Sequence, residues 1–211
     1  MKVIKIINSL FLTSEGVVTK YKNGKTHDFF IKQGSLDGAC APYSASMVLM
    51  ILGILKRTDL DLNRYHDRRR KIGKIIDLFF NQKGLVREGY NFNDLTHELQ
   101  LFKKDFDVQY HDTSNDILEI IQNQIEKENP VLISVEYTGG IHALVAVGLE
   151  LNEKDEIIKI LCIDPGYDQP KITYWNSVID LESQYKGKYK FNWLNDDSLV
   201  KLSDIVTFNK K

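Results

Sequence analysis

Apolar and polar positions follow two different rhythms along this chain, and the rhythm changes near residue 130. Before residue 33 the pattern is that of strands. Runs at 3–12, 17–21 and 28–32 are rich in β-branched and aromatic residues, and Asn23-Gly24 between the last two is a strong hairpin signal. From Cys40, the residues Tyr43, Met47, Met50, Ile51 and Ile54 recur at helical spacing and Pro42 suits a first turn. So few polar residues interrupt this run that the helix is predicted to be mostly buried. Further helices are predicted at 62–82, at 93–102 with Asn91 or Asn93 as cap, and at 114–128 starting from Thr113 or Ser114. Pro130 opens a second β region, with strands predicted at 131–137, 143–151, 157–164 and 171–175 and near 188–193 and 205–208.

Helices gathered ahead of antiparallel strands define an α+β fold, with the helix that begins at Cys40 packed against a mainly antiparallel β-sheet. The expected organisation is one domain, 1–211, made of an N-terminal β-hairpin region 1–32, a helical half 40–128 and a β half 130–208. A chain of this length buries roughly 70% of the surface its unfolded form exposes, so neither a disulfide nor a structural metal is needed to hold it.

Composition narrows the class. With 43% hydrophobic and 27% charged residues the chain is an ordinary globular protein, which argues against disordered, collagenous and membrane-spanning classes. The longest uncharged apolar run, 39–55, is too short to cross a bilayer comfortably. The N-terminus is interrupted by Lys5 and Asn8 and lacks a small-residue cleavage site, so it reads as a strand and not as a signal peptide. The expected location is therefore the cytoplasm, or the route of a specialised secretion system, with no membrane partner. A formal net charge of −1 gives no electrostatic reason to seek nucleic acid. The halves nevertheless differ: residues 1–105 carry 18 basic and 11 acidic side chains, and residues 106–211 carry 10 and 18. Much of the basic excess lies in Lys56, Arg57, Arg64, Arg68, Arg69, Arg70, Lys71 and Lys74, so segment 56–74 either contacts an acidic partner or solvates a helix face. Cys40 and Cys162 are far apart and no Cys-x-x-Cys or His-x-x-x-His spacing occurs, so no metal and no cofactor is expected.

The chemistry-bearing segment is Gln33-Gly34-Ser35-Leu36-Asp37-Gly38-Ala39-Cys40, a glycine-bearing loop that delivers a cysteine to the first turn of an apolar helix. Unpaired N–H groups and the positive end of the helix dipole favour a thiolate at such a position. A buried structural cysteine would fit the same spot. A nucleophile also needs a base, and the histidines are His27, His66, His97, His111 and His142. His142 alone opens an apolar strand directly after Gly139-Gly140-Ile141, at a sheet end where a cleft can form. The following strand ends in Asp164-Pro165-Gly166, and the polar turn Asn152-Glu153-Lys154-Asp155 makes the two an antiparallel hairpin. A turn centred between Glu153 and Lys154 makes paired positions total 307, and His142 with Asp164 totals 306, so the two are cross-strand neighbours within hydrogen-bond reach. Asp164 then orients the ring, His142 moves the proton, Cys40 attacks a carbonyl, and the Gln33 side-chain amide joins the Cys40 backbone N–H in an oxyanion hole. Cys162, two residues from Asp164, reads as core packing. Asn176 is an alternative orienting residue for the ring, and Trp175 beside it reads as core.

Gln33, Cys40-x-Pro42-Tyr43, Gly140-Ile141-His142-Ala143-Leu144-Val145-Ala146-Val147-Gly148 and Cys162-Ile163-Asp164-Pro165-Gly166, in that order, resemble the papain-like cysteine peptidase superfamily, and within it the double-glycine leader peptidase domains of bacteriocin exporters and their free-standing relatives. The resemblance spans roughly residues 30–170 and implies a papain-like fold with Gln33, Cys40, His142 and Asp164 in the roles just given. Relatives commonly carry Gly directly after the nucleophile where this chain has Ala41, and no P-loop is present, so transport-coupled leader cleavage is not implied. The expected activity is cleavage of a peptide or isopeptide amide bond in a peptide or protein substrate through a thioester. The alternatives are an acyltransferase, a transglutaminase-like enzyme or a glutamine deamidase acting on a protein, or an inert papain-like binding module.

Overall fold

The β-branched runs of the C-terminal half find partners until the sheet meets itself. A computed structural model describes residues 2–21, 24–34, 38–61, 66–80, 90–114 and 116–210. Its strands are β1 (Val3–Ile6), β2 (Leu10–Thr13), β3 (Gly16–Lys20), β4 (Thr26–His27), β5 (Phe106–His111), β6 (Val131–Tyr137), β7 (Gly140–Leu151), β8 (Ile157–Ile163), β9 (Ser177–Asp180), β10 (Phe191–Trp193) and β11 (Ser198–Lys210). The helices among the described residues are α1 (Cys40–Ile51), α2 (Lys71–Phe80), α3 (Phe92–Leu99) and α4 (Ile117–Glu126). The main sheet runs β7-β6-β11-β10-β9-β8 and closes because β8 pairs back onto β7. Every pairing in this ring is antiparallel. Closure removes the unpaired edges that an open sheet would present.

Two long strands make the ring possible. β7 pairs with β6 over 140–146 and with β1 over 148–151, while β11 pairs with β6 over 201–207 and with β5 over 205–210. Helix α1 packs on β7 and β6. Its residues Met47, Val48, Leu49 and Met50 have no exposed surface, as the uninterrupted apolar run predicts. The result is an α+β molecule built around a large antiparallel sheet.

Local departures from the sequence reading have identifiable causes. The run 3–12 is two strands, because the Ile7 N–H turns inward to the Val147 carbonyl at 3.0 Å and Asn8 is held by the Glu128 carboxylate. β1 therefore joins the main sheet, and β2 begins a separate three-stranded sheet, β2-β3-β4. Residues 28–32 form no strand; Phe29, Phe30 and Ile31 are buried as an irregular segment instead. The predicted helix 62–82 contracts to α2, with residues 62–65, 81 and 82 outside the described set, as is Asn23 of the predicted turn. Asn91 caps α3 as expected. Helix α4 starts later than predicted, because Asp116 accepts the Glu119 N–H and serves as its cap. β5 interrupts the supposed helical half. In segment 56–74, Arg68, Arg69 and Lys71 pair with Asp77, Asp67 and Asp105, and Arg64 lies outside the described residues. No helix among the described residues is long and apolar enough to cross a membrane.

Candidate active site

Cys40 opens α1, and Ala39 at its N-cap has no side chain that can accept from the first-turn N–H groups. These N–H groups and the dipole they carry are thus directed to whatever occupies the space before the helix. One turn further on, the Ser44 hydroxyl donates to the Ala143 carbonyl at 3.1 Å. This buried strut ties α1 to the residue beside His142 and fixes the spacing between helix start and strand start.

His142 and Asp164 meet as the hairpin reading requires. The ring donates from Nε2 to Asp164 Oδ1 at 2.8 Å, and the Asp164 side chain is 1% exposed. Their register is not quite the predicted one: Val145 pairs with Ile163 and Leu149 with Ile160, totals of 308 and 309, because two irregularities interrupt the β7–β8 ladder. The contact survives because His142 and Asp164 remain on one face of the hairpin, offset diagonally. Nε2 is committed to Asp164, and Cys40 is the other polar group that acts on the ring. Burial of the imidazole works against its charged form, yet the hydrogen bonds and negative charge of Asp164 and Cys40 outweigh it and raise the ring from 6.5 to about 10.

Asp164 is held by its backbone as well as its carboxylate. Oδ1 also accepts the Gly166 N–H at 2.7 Å, a turn that a side chain at residue 166 would crowd, since a Cβ there would lie 3.1 Å from the same oxygen. Asn176 brackets the Asp164 main chain, accepting its N–H at 2.7 Å and donating to its carbonyl at 2.9 Å. Asn195 in turn donates to the Asn176 carbonyl at 2.8 Å. Asn176 is therefore a clamp on Asp164, and the alternative in which it orients the ring is not what these contacts make. Trp175 is half-buried and not part of the core.

The sequence reading missed the aromatic cover. The Trp193 indole stacks on the His142 ring with centroids 5.5 Å apart, donates its N–H to the Ser177 hydroxyl at 2.7 Å, and meets Tyr137 edge-on. Trp193 lies in β10, and only ring closure of the sheet brings it to β7. A tryptophan in an apolar run carries no sequence signal for such a role.

Gln33 lies at the other wall. Its N–H donates to the Pro165 carbonyl at 2.7 Å, which stitches the segment before α1 to the residue after Asp164. Gln33, Cys40 and His142 line one cleft of about 610 Å³, together with Tyr137, Ser134 and Asp204. Residues 35–37 of the loop lie outside the described set. The structure thus brings Gln33, Cys40 and His142 to one cleft, with Asp164 buried behind the His142 ring. Cys162 is elsewhere: it is fully buried, burial pushes its thiol well above the usual range, and it forms no disulfide.

A cleft with a helix-start cysteine beside a histidine and an aspartate is an arrangement of the papain-like cysteine peptidase superfamily. The model of the Peptidase_C39 like family matches residues 20–197, and the chain belongs to that family. The crystal structure of UfSP from C. elegans is similar to this one with a TM-score of 0.46 and 14% sequence identity, covering 99% of this chain and 34% of that one. The chain thus spans about a third of that protein's length. No curated protein matches the sequence.

Proposed function

We propose that this protein is a thiol hydrolase that cleaves peptide or isopeptide amide bonds, with Cys40 as nucleophile, His142 as acid and base, Asp164 as orienter and Gln33 as oxyanion donor. The observation that carries this reading is the line of contacts from Cys40 through the His142 ring to buried Asp164, with Nε2 and Oδ1 2.8 Å apart. An imidazole raised to about 10 is protonated near neutral pH and sits against the Cys40 sulfur, which favours a thiolate–imidazolium pair. Cys40 Sγ attacks the amide carbonyl carbon, and the oxyanion is met by the Gln33 amide and the Cys40 N–H. The C–N bond breaks as His142 passes its Nδ1 proton to the leaving amine, giving a thioester. Water then attacks the thioester as His142 takes a proton from it, the C–S bond breaks, and the acid leaves with the thiolate–imidazolium pair restored.

The test is alkylation of Cys40 by iodoacetamide across pH, resolved from Cys162 by mass spectrometry, in the native protein and in His142→Ala. Fast reaction of Cys40 below pH 7 that slows on loss of His142 supports the reading. A Cys40 that is inert, or indifferent to residue 142, overturns it in favour of a binding module.

A further inference from the structure

The roles proposed for Gln33, Cys40, His142 and Asp164 leave the carboxylate that lines the cleft, Asp204, without a task. β11 is irregular where it passes the cleft: Leu202 pairs with Val135 and Ile205 with Ile133, so Ser203 and Asp204 together face the single residue Ser134. Such a bulge re-aims the side chains it carries, and bulges gather next to active sites for that reason. Both bulge residues line the cleft that holds Cys40 and His142.

The Asp204 carboxylate is positioned by neutral donors. Hydroxyls of Ser134 and Tyr110 and its own backbone N–H donate to it. Ser134 is buried at 3% exposure, so its half of the arrangement is fixed. A carboxylate offers about four lone-pair sites, so room remains for one further donor. No lysine or arginine pairs with Asp204 among the described residues, and the other charge that acts on it, Asp112, is negative as well. Burial, with Asp112 adding to it, pushes the carboxyl above the usual range, the direction expected of an anion held in a cleft without a counter-charge.

We propose that Asp204 is a specificity-determining residue: an anionic subsite beside the nucleophile that takes the cationic side chain of a lysine or arginine in the peptide substrate. This rests on Cys40 being the nucleophile of the same cleft. A cation docked there would supply the missing donor and the missing charge together, while an acidic side chain would be repelled by Asp204.

The test uses three electrophiles that differ in one side chain, the N-bromoacetyl amides of lysine, norleucine and glutamate, with each rate of Cys40 alkylation divided by that of iodoacetamide. The lysine reagent should react about tenfold faster than the norleucine reagent, and the glutamate reagent slowest. In Asp204→Asn the lysine advantage should shrink to within about twofold. The native advantage should also fall steeply between low salt and about 1 M salt, a readout that needs no variant to fold. Equal lysine and norleucine rates with brisk iodoacetamide reaction would overturn the subsite and leave the nucleophile standing. So would a lysine advantage that survives Asp204→Asn or high salt. A Cys40 inert to all four reagents overturns both.

Discussion

The two walls of the cleft are built in different ways. On the sheet wall, His142 is fixed on several sides: Asp164 holds Nε2, Trp193 covers the ring, Ser177 holds Trp193, and Asn176 with Asn195 clamps the main chain behind Asp164. On the helix wall, Cys40 stands at the start of α1, supported by the Ser44 strut and by the Gln33 to Pro165 hydrogen bond. One wall holds the His142 ring in a network that spans several strands, while the other offers the Cys40 sulfur and the start of a helix. In the proposed reaction, a side-chain cap at that helix start would compete with the oxyanion its N–H groups are to bind. The difference is that the residue proposed as base is held rigidly, whereas the residue proposed as nucleophile has fewer side-chain supports.

The sharpest way to break this contrast is at the sulfur atoms. Cys40→Ala should lower amide hydrolysis by about a millionfold, the scale set by removal of a nucleophile that works as part of a unit, whereas Cys162→Ala should leave a folded, active protein. Cleavage assays on both variants decide, and retained activity in Cys40→Ala would defeat the assignment. Asp164→Asn comes next, with a loss of about ten-thousandfold in kcat. The hydrogen bond and charge of Asp164 both raise His142, so removing them should also move the alkaline limb of the pH–rate profile to lower pH than in the native protein, where the ring titrates at about 10. A limb that stays in place would mean that Cys40 alone holds the proton on the ring. Gln33→Ala should cost about 100- to 1000-fold in kcat with little change in thermal midpoint, because it removes one donor from the accessible wall. The smallest effect belongs to Trp193→Phe, which keeps a ring over His142 but drops the bond to Ser177. Denaturant titration should show a loss of about 1 kcal/mol of stability with kcat little altered.

How much of this was legible beforehand follows from how local each signal is. α1, β6 and the His142–Asp164 contact are written in short stretches: an unbroken apolar run after Cys40, and two strands joined by a four-residue polar turn. The exact register was not legible, because a β-bulge depends on twist and neighbours and not on the turn alone. The failures share a cause. Residues 171–175 have strand composition but no partner; Ile172 is 88% exposed, and pairing starts only when Ser177 meets Cys162. β5 alternates Phe106, Val108 and Tyr110 with the polar residues Asp107 and Gln109 but is short and follows a helical run, and it is a strand because β11 is long enough to receive it. A strand is defined by its neighbour, and a single sequence names the neighbour only when a short turn connects them. Cys40, His142 and Asp164 could be singled out because each lies at or beside the end of an element with its own local signature, whereas Gln33 lies in a segment that forms no strand. Trp193, Asn176 and Asp204 were missed in their roles because theirs arise from ring closure, a clamp across strands and a bulge.

Ring closure also dates the assembly of the cleft during synthesis. The β7–β8 hairpin can form its His142–Asp164 contact as soon as both strands have left the ribosome, but β6 gains its second neighbour only with β11, the last strand in the chain. β11 must reach back to β6 and β5, contacts between residues far apart in sequence that form slowly. It also pairs with the strand that carries Trp193 and brings Asp204 to the cleft. A nascent chain that has not yet delivered β11 therefore carries its cysteine and histidine without a cover for the ring and without the wall opposite. The cleft is thus a late product of folding, whose two walls face each other only once β11 has docked on β6.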